Sequence, residues 1–359
     1  MKRSLIVLGI VLLFIQPCRA DQLSEQLGAG DLARAGRAYD VGVEFSMDMD
    51  LDDGAERLLT RVMQQLPDTI RQALRGGLML LAVVLLCGMA HSAHMVGGGE
   101  QLPVAVMAGA LAITGLSAGD MSLMLGLGRT AIDKMHGFGN VLVPVMAACT
   151  AATGSTAAAA VRQMATAMFS NLLIAVINKL LVPLVYAFVA VFTAYAAVGN
   201  PGLKRVAELL KWVITTVLTT LLVVFVTYLT VSGAVAGSAD ALALKAAKTA
   251  ISSAIPVVGG IISNAAETIL VGAGALRGTV GVFGLLAVLG LCLTPFLQLG
   301  VHYLSYKLSA AVAATLTDGR LSELIGGIGT AFGLIFGMTG ACALLMLISI
   351  ISAVSGVGT

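Results

Sequence analysis

The sequence is short of charge. Only 11% of its 359 residues are Asp, Glu, Lys or Arg, against about a quarter in an ordinary soluble domain. So few charges cannot cover the surface of a water-soluble chain of this size, and low charge also excludes a disordered class. Aromatics make up 5%, with one Trp. Five cysteines without a CxxC exclude a disulfide scaffold, and no Gly-X-Y period points to a triple helix. A net charge of +2, thinly spread, excludes nucleic acid as a partner. Catalytic signatures are missing as well: there is no HExxH, no GxSxG and no GxxxxGKS/T. The four histidines and scattered acids make no constellation, so the chain reads as neither an enzyme nor a cofactor protein.

What the sequence has is long apolar runs, with 58% hydrophobic residues and a mean hydropathy of +0.97. A transmembrane barrel would show alternating strands of about ten residues. The expected fold class is therefore all-α: a polytopic helical membrane protein with about 5–7 transmembrane segments, one or two of them re-entrant or broken. Three regions are expected. Residues 1–20 read as a signal peptide, with Lys2 and Arg3, an apolar core over Leu5–Ile15 and a cleavage site at Cys18-Arg19-Ala20. Residues 21–77 read as an exported segment, holding 11 of the 19 acids and six arginines. Residues 78–359 read as the membrane domain.

Within the exported segment, Asp53 and Glu56 resemble a capping box. Leu58, Leu59, Val62 and Leu66 follow at helical spacing opposite Arg57, Arg61 and Gln64, and Pro67-Asp68 restarts the helix. This predicts an amphipathic helix lying on the bilayer or on a partner. Asp48, Asp50 and Asp52 do not make a calcium loop, because Gly54 falls one place late and Leu59 stands where Glu is required. Cys87, His91 and His94 share one helix side but find no fourth ligand beyond Glu100, so no metal is expected.

Spanning segments are expected at 78–96, 102–118, 138–160, 168–198, 212–236, 279–304 and 328–356. Loops 119–137, 199–211 and 305–325 carry seven bases, and the alternate loops 97–101, 161–167 and 237–254 carry three, which places the first set in the cytoplasm. That placement agrees with an exported N-terminus only if the short 102–118 segment does not cross. The expected topology is then about five crossings, two re-entrant segments and an exported C-terminus. An internal echo accompanies it: Pro183 leads to Arg205-Val-Ala-Glu208-Leu-Leu, and Pro295 leads to Arg320-Leu-Ser-Glu323-Leu-Ile.

Ionisable groups inside a bilayer are functional suspects. Lys179 follows Asn178 in the middle of 168–198. The stretch 255–276 is broken by Pro256 and by Gly259-Gly260, and carries Asn264 and Glu267. A Lys179–Glu267 pair would either serve transport or hold the bundle in register. Two function classes follow from these residues. One is a subunit of a larger membrane assembly, in which a broken helix lines a passage. The other is a stand-alone secondary transporter with its site at 255–276.

The run from Lys245 through Lys248, Pro256-Val-Val-Gly259-Gly260, Ser263 and Glu267-Thr268 to Gly272, Arg277 and Gly281-Val-Phe-Gly284 resembles the central signature of the stage III sporulation protein AE family. The order of signal peptide, polar exported segment and Gly/Ala-rich spans is similar over nearly the whole chain. The resemblance implies a multi-pass protein of the mother-cell membrane surrounding the forespore. It implies a place in a secretion-like channel complex required for endospore development. Implied partners are other membrane and ring-forming proteins of the same sporulation operon, a cytoplasmic secretion-type ATPase and a forespore membrane partner.

Overall fold

Long apolar runs with little proline become long helices. The computed structural model describes residues 29–42, 51–96, 103–152, 157–231, 279–316 and 319–355, and all regular structure among them is helical. A short helix α1 (Ala29–Tyr39) precedes α2 (Leu51–Val96) and α3 (Pro103–Ala152). Then come α4 (Ala157–Val176), a π-helical turn (Ile177–Leu181) and α5 (Val182–Val198), which form one continuous rod. The described elements close with α6 (Pro201–Val231), α7 (Thr279–Ala313) and α8 (Gly319–Ser355). Among the described residues, six helices are long and apolar enough to cross a membrane. The expected signal peptide and the 255–276 motif lie outside the described residues.

The chain runs up and down. The α3 rod is antiparallel to α4–α5, with Asp133 meeting Asn178 and Thr114 meeting Thr193. The next turn is tight. Gly199 takes φ +77°, a left-handed conformation that suits glycine, and its N–H closes α5 on the Tyr195 carbonyl at 2.7 Å. Asn200 Oδ1 then accepts the Gly202 N–H at 2.8 Å, and Pro201 opens α6. Helix α2 runs parallel to α7 at a constant offset: Gly54 faces Leu286, Gly77 faces Ser309, and Ser305 donates to the Ala73 carbonyl at 2.8 Å, 232 residues away. A parallel neighbour in an alternating bundle requires the intervening chain to return, which α3 to α6 do.

The centre of the bundle is α8. In its apolar window 89% of residues are buried, against 22% in those of α2 and α6. Sequence explains the burial: α8 is apolar on all sides, as a helix must be to sit among others. Its glycines admit rings from its neighbours. Phe192 of α5 lies against Gly327, and Tyr303 of α7 lies against Gly333. Tyr306 packs edge-on against Phe332 at 4.9 Å, and Phe296 stacks on Phe336 at 3.9 Å. Without a hydrophobic drive inside lipid, such close backbone approach supplies the attraction.

Several expectations need correction. Segments 102–118, 119–137 and 138–160 are not a re-entrant piece, a loop and a span. Residues 103–152 form one helix of 50 residues, about 75 Å long at 1.5 Å per residue, because nothing between Gly119 and Gly137 stops it. The loops at 199–211 and 305–325 shrink to Gly199-Asn200 and to the link between Ala313 and Gly319, and 161–167 is helical. Both RxxEL motifs are therefore early turns of long helices. Asp53 lies within the first turn of α2, where it favours the helix dipole without capping. Pro67 does not restart that helix. It sits on the exposed side, where a missing N–H is tolerated, while Val62, Thr69 and Ala73 are buried on the other side.

Candidate functional site

Charge gathers in three places on this bundle. The first is a basic belt where α5, α7 and the starts of α6 and α8 meet. Lys204 Nζ donates to Glu323 Oε1 at 2.8 Å, Tyr195 Oη donates to Glu323 Oε2 at 2.9 Å, and the Lys204 ammonium stands 5.6 Å from the Tyr195 ring centroid. One carboxylate thus ties three helices together, and both its oxygens are used. Lys307 is partly buried and donates to the Gly326 carbonyl at 3.0 Å and to Thr330 Oγ1 at 2.8 Å. The Arg320 side chain lies against Gly199. With Arg205 and Lys211, this end of the molecule carries four bases besides the Lys204 ammonium that Glu323 holds. Trp212, 61% exposed, sits just inside the belt, where an amphipathic ring belongs at a membrane interface.

The second place is the π-helical turn, which holds the expected site residue Lys179. Pro183 has no N–H to offer the Lys179 carbonyl, and the Val182 N–H reaches back five residues to Ile177. The extra residue directs Asn178 Nδ2 to Asp133 Oδ1 of α3 at 2.7 Å, and Arg129 Nε lies 3.9 Å from the other oxygen of Asp133. Lys179 is exposed and makes no ion pair among the described residues. Its expected partner Glu267, together with Pro256, Gly259, Gly260 and Asn264, lies outside the described residues. Beneath the turn is a cavity of about 130 Å³ between α3, α4 and α8, lined by His136, Asn140, Ser170, Asn171 and Ser349 among apolar side chains. Ser349 Oγ is buried there with no hydrogen-bond partner among the described residues.

The third place is the outward side of α2. Glu56, Arg57, Gln64, Asp68, Arg71 and Arg75 are all exposed along it. Arg61 reaches Asp40 at 3.3 Å and so ties α2 to the end of α1. The inward side, through Leu58, Val62 and Ala73, is buried. The same stretch also exposes Leu59, Met63, Ile70 and Leu74, and large apolar side chains are exposed on the far side of the bundle too. There α4, α5 and α6 expose Met168, Leu172, Leu180, Tyr186, Val223 and Val224.

Sequence reasoning found Lys179, Glu208 and Glu323 but gave Glu323 no partner. It missed Tyr195, Lys204 and Asp133 as polar anchors. The signal for Lys204 was the charge count of its loop, and the signal for Asp133 was its isolation in a stretch of α3 read as a loop. Among the described residues, no group of three or more His, Cys, Asp or Glu could hold a metal ion.

Comparison with known proteins places this arrangement. A family model described as stage III sporulation protein AE matches residues 43–357. The stage III sporulation protein AE of Bacillus subtilis (strain 168) is 25% identical over 222 residues, covering 61% of this chain and 55% of that protein. The match therefore spans about half the length of that curated relative. No solved structure matches the chain.

Proposed function

The chain belongs to the stage III sporulation protein AE family, and we propose that it serves endospore development as a passage-forming or scaffolding subunit of a channel-like complex between mother cell and forespore. It is a multi-pass helical membrane protein with a sporulation-related role. In this reading it stands in the mother-cell membrane around the forespore and performs no catalysis. It joins ring-forming and membrane proteins of the same operon, a cytoplasmic secretion-type ATPase and a partner in the forespore membrane.

The observation that carries the subunit reading over a self-contained permease is the position of α8. A helix buried on 89% of its apolar window fills the axis where a permease keeps its substrate site. Passage is then a matter between subunits. Orientation supports the same reading. With six crossings, the belt of Lys204, Arg205, Lys211, Lys307 and Arg320 shares one end, and the positive-inside rule turns that end to the mother-cell cytoplasm. There it meets an ATPase. The opposite end, holding α1 and the start of α2, faces the space between the membranes.

The test is a deletion strain. Vegetative growth is expected to be normal and development to stop after engulfment, with spore counts restored by the full chain expressed in the mother cell. Normal spore formation without the gene, or rescue by expression in the forespore alone, overturns the proposal.

A further inference from the structure

Two lysines from different helices stand within electrostatic reach of each other, and neither has an acid to answer it. Lys307 of α7 is partly buried, and its ammonium donates to the Gly326 carbonyl at 3.0 Å and to Thr330 Oγ1 at 2.8 Å, both on α8. Both acceptors are neutral, and an ammonium carries three N–H donors, so one remains. The charged group that acts on Lys307 is a second cation, Lys211 of α6. The carboxylates at this end are turned elsewhere. Glu323 is held by Lys204 and Tyr195, and Glu208 acts on Lys204. Among the described residues, neither Lys211 nor Lys307 takes part in an ion pair. Like charges repel most where burial has stripped away part of their water. An anion between the two ammoniums turns that repulsion into attraction.

The surroundings select the kind of anion. Trp212, next to Lys211, is 61% exposed, and Leu304 and Leu308, one turn before Lys307 and just after it, are 57% and 58% exposed. Among the described residues α6 packs on α5 and touches α8 but does not pack along α7. The lysines therefore flank a cleft with Gly326 and Thr330 of α8 in its floor. All three helices are long and apolar enough to cross a membrane, and the cleft lies towards the end where α6 and α8 begin and α7 finishes. Cations beside an exposed indole and exposed leucines suit the boundary between headgroups and acyl chains. A free anion or a soluble acidic partner would leave Leu304 and Leu308 uncovered. We propose that Lys211 and Lys307 hold the phosphate of an anionic phospholipid in the cleft between α6 and α7, with its acyl chains against Leu304 and Leu308. Such a site needs the chain in a membrane and no particular assembly around it.

The chain has one tryptophan, and its place next to Lys211 makes its fluorescence a reporter of lipid at the cleft. The full chain is reconstituted in phosphatidylcholine vesicles, and phosphatidylglycerol or phosphatidylcholine with brominated acyl chains, which quench indole on contact, is added in steps. Half-quenching is expected at a mole fraction about fivefold lower for brominated phosphatidylglycerol than for brominated phosphatidylcholine. Lys211→Gln and Lys307→Gln are each expected to weaken this preference, and the double variant to abolish it. Lys211→Arg keeps the charge and is expected to retain the preference. Arg205→Gln removes the same charge from the same end of the molecule and is expected to leave the preference in place, as is excess inorganic phosphate at constant ionic strength. Equal quenching of the unaltered chain by the two lipids overturns the proposal. An equal loss in Arg205→Gln also overturns it, because general surface charge would then attract the lipid. Loss of the preference in inorganic phosphate overturns the lipid as ligand, since the cleft would then take the free anion. None of these outcomes touches the sporulation requirement, which the deletion strain decides.

Discussion

Glu323 joins two neighbours through two oxygens, and the three groups form one unit. Removing Lys204 leaves a half-buried carboxylate with a single donor, whereas removing both ends of the pair leaves little unsatisfied. In Lys204→Met, Glu323→Gln and the double variant, the coupling energy is expected to be about 1 kcal/mol, since both side chains are more than one-third exposed. Thermal unfolding of detergent-solubilised protein measures it. A larger effect is expected at Gly327. A Cβ there would stand 2.7 Å from the Phe192 ring, so Gly327→Val forces α5 away from α8 and is expected to cost about 1–3 kcal/mol. The same substitution at Gly319, where nothing lies within 4 Å of the position, is expected to leave the midpoint nearly unchanged. The residue scale is also where sequence was least legible. Glu323 carries no mark that separates it from Glu208 until α5 brings Tyr195 to it. Lys179 was visible as a charge in an apolar run, yet its exposure depends on the π-helical turn.

That turn is an element-scale feature with a sequence cause. Proline at position 183 removes one donor, and the helix absorbs the loss by widening one turn. Pro183→Ala restores the donor and is expected to return the rod to an ordinary α-helix. Everything on one side of the turn then rotates by about 100° per residue shifted, so Asn178 leaves Asp133. A disulfide between cysteines placed at Asn178 and Asp133 is expected to form with Pro183 present and to fail in Pro183→Ala. Most elements themselves were legible: the apolar runs at 168–198, 212–236, 279–304 and 328–356 each fall within or along one described helix. The misreading at α3 has a physical reason. Asp120, Arg129, Asp133 and Lys134 look like a loop when charge is taken to mean water outside the membrane. In the folded chain they are helical, and Asp120 and Asp133 are held by Tyr306 and Asn178 of neighbouring helices.

On the scale of the whole molecule, the single α3 helix bears on an arithmetic difficulty. Read as two pieces with a loop, residues 102–160 forced a choice between the signal peptide and the basic loops. Read as one of six helices long enough to cross, they are compatible with both the charge rule and the expected exported N-terminus. Reporter fusions are expected to give an extracytoplasmic signal near residue 45 and at the C-terminus, and a cytoplasmic signal at 100, 200 and 316. A cytoplasmic signal near 45 reverses every later assignment. What sequence alone left hidden here was the hub. Six apolar helices can be arranged around any one of their number, and only the fit of Phe192, Tyr303 and Tyr306 to the small residues of α8 selects the last.

Because α8 follows every other described helix in the chain, the bundle acquires its axis only after those helices have been made. Until the 37 residues of α8 are delivered, α3, α4–α5, α6 and α7 must wait in the bilayer without the neighbour they share, held by pairwise contacts alone. A transcript cut short after Ala313 is therefore expected to yield a chain that inserts but is cleared by membrane proteases, while a cut after Ser355 is tolerated. Pulse–chase measurement of the two half-lives checks this. Such an order of assembly leaves any chain that stops short of α8 without the surface on which its earlier helices meet.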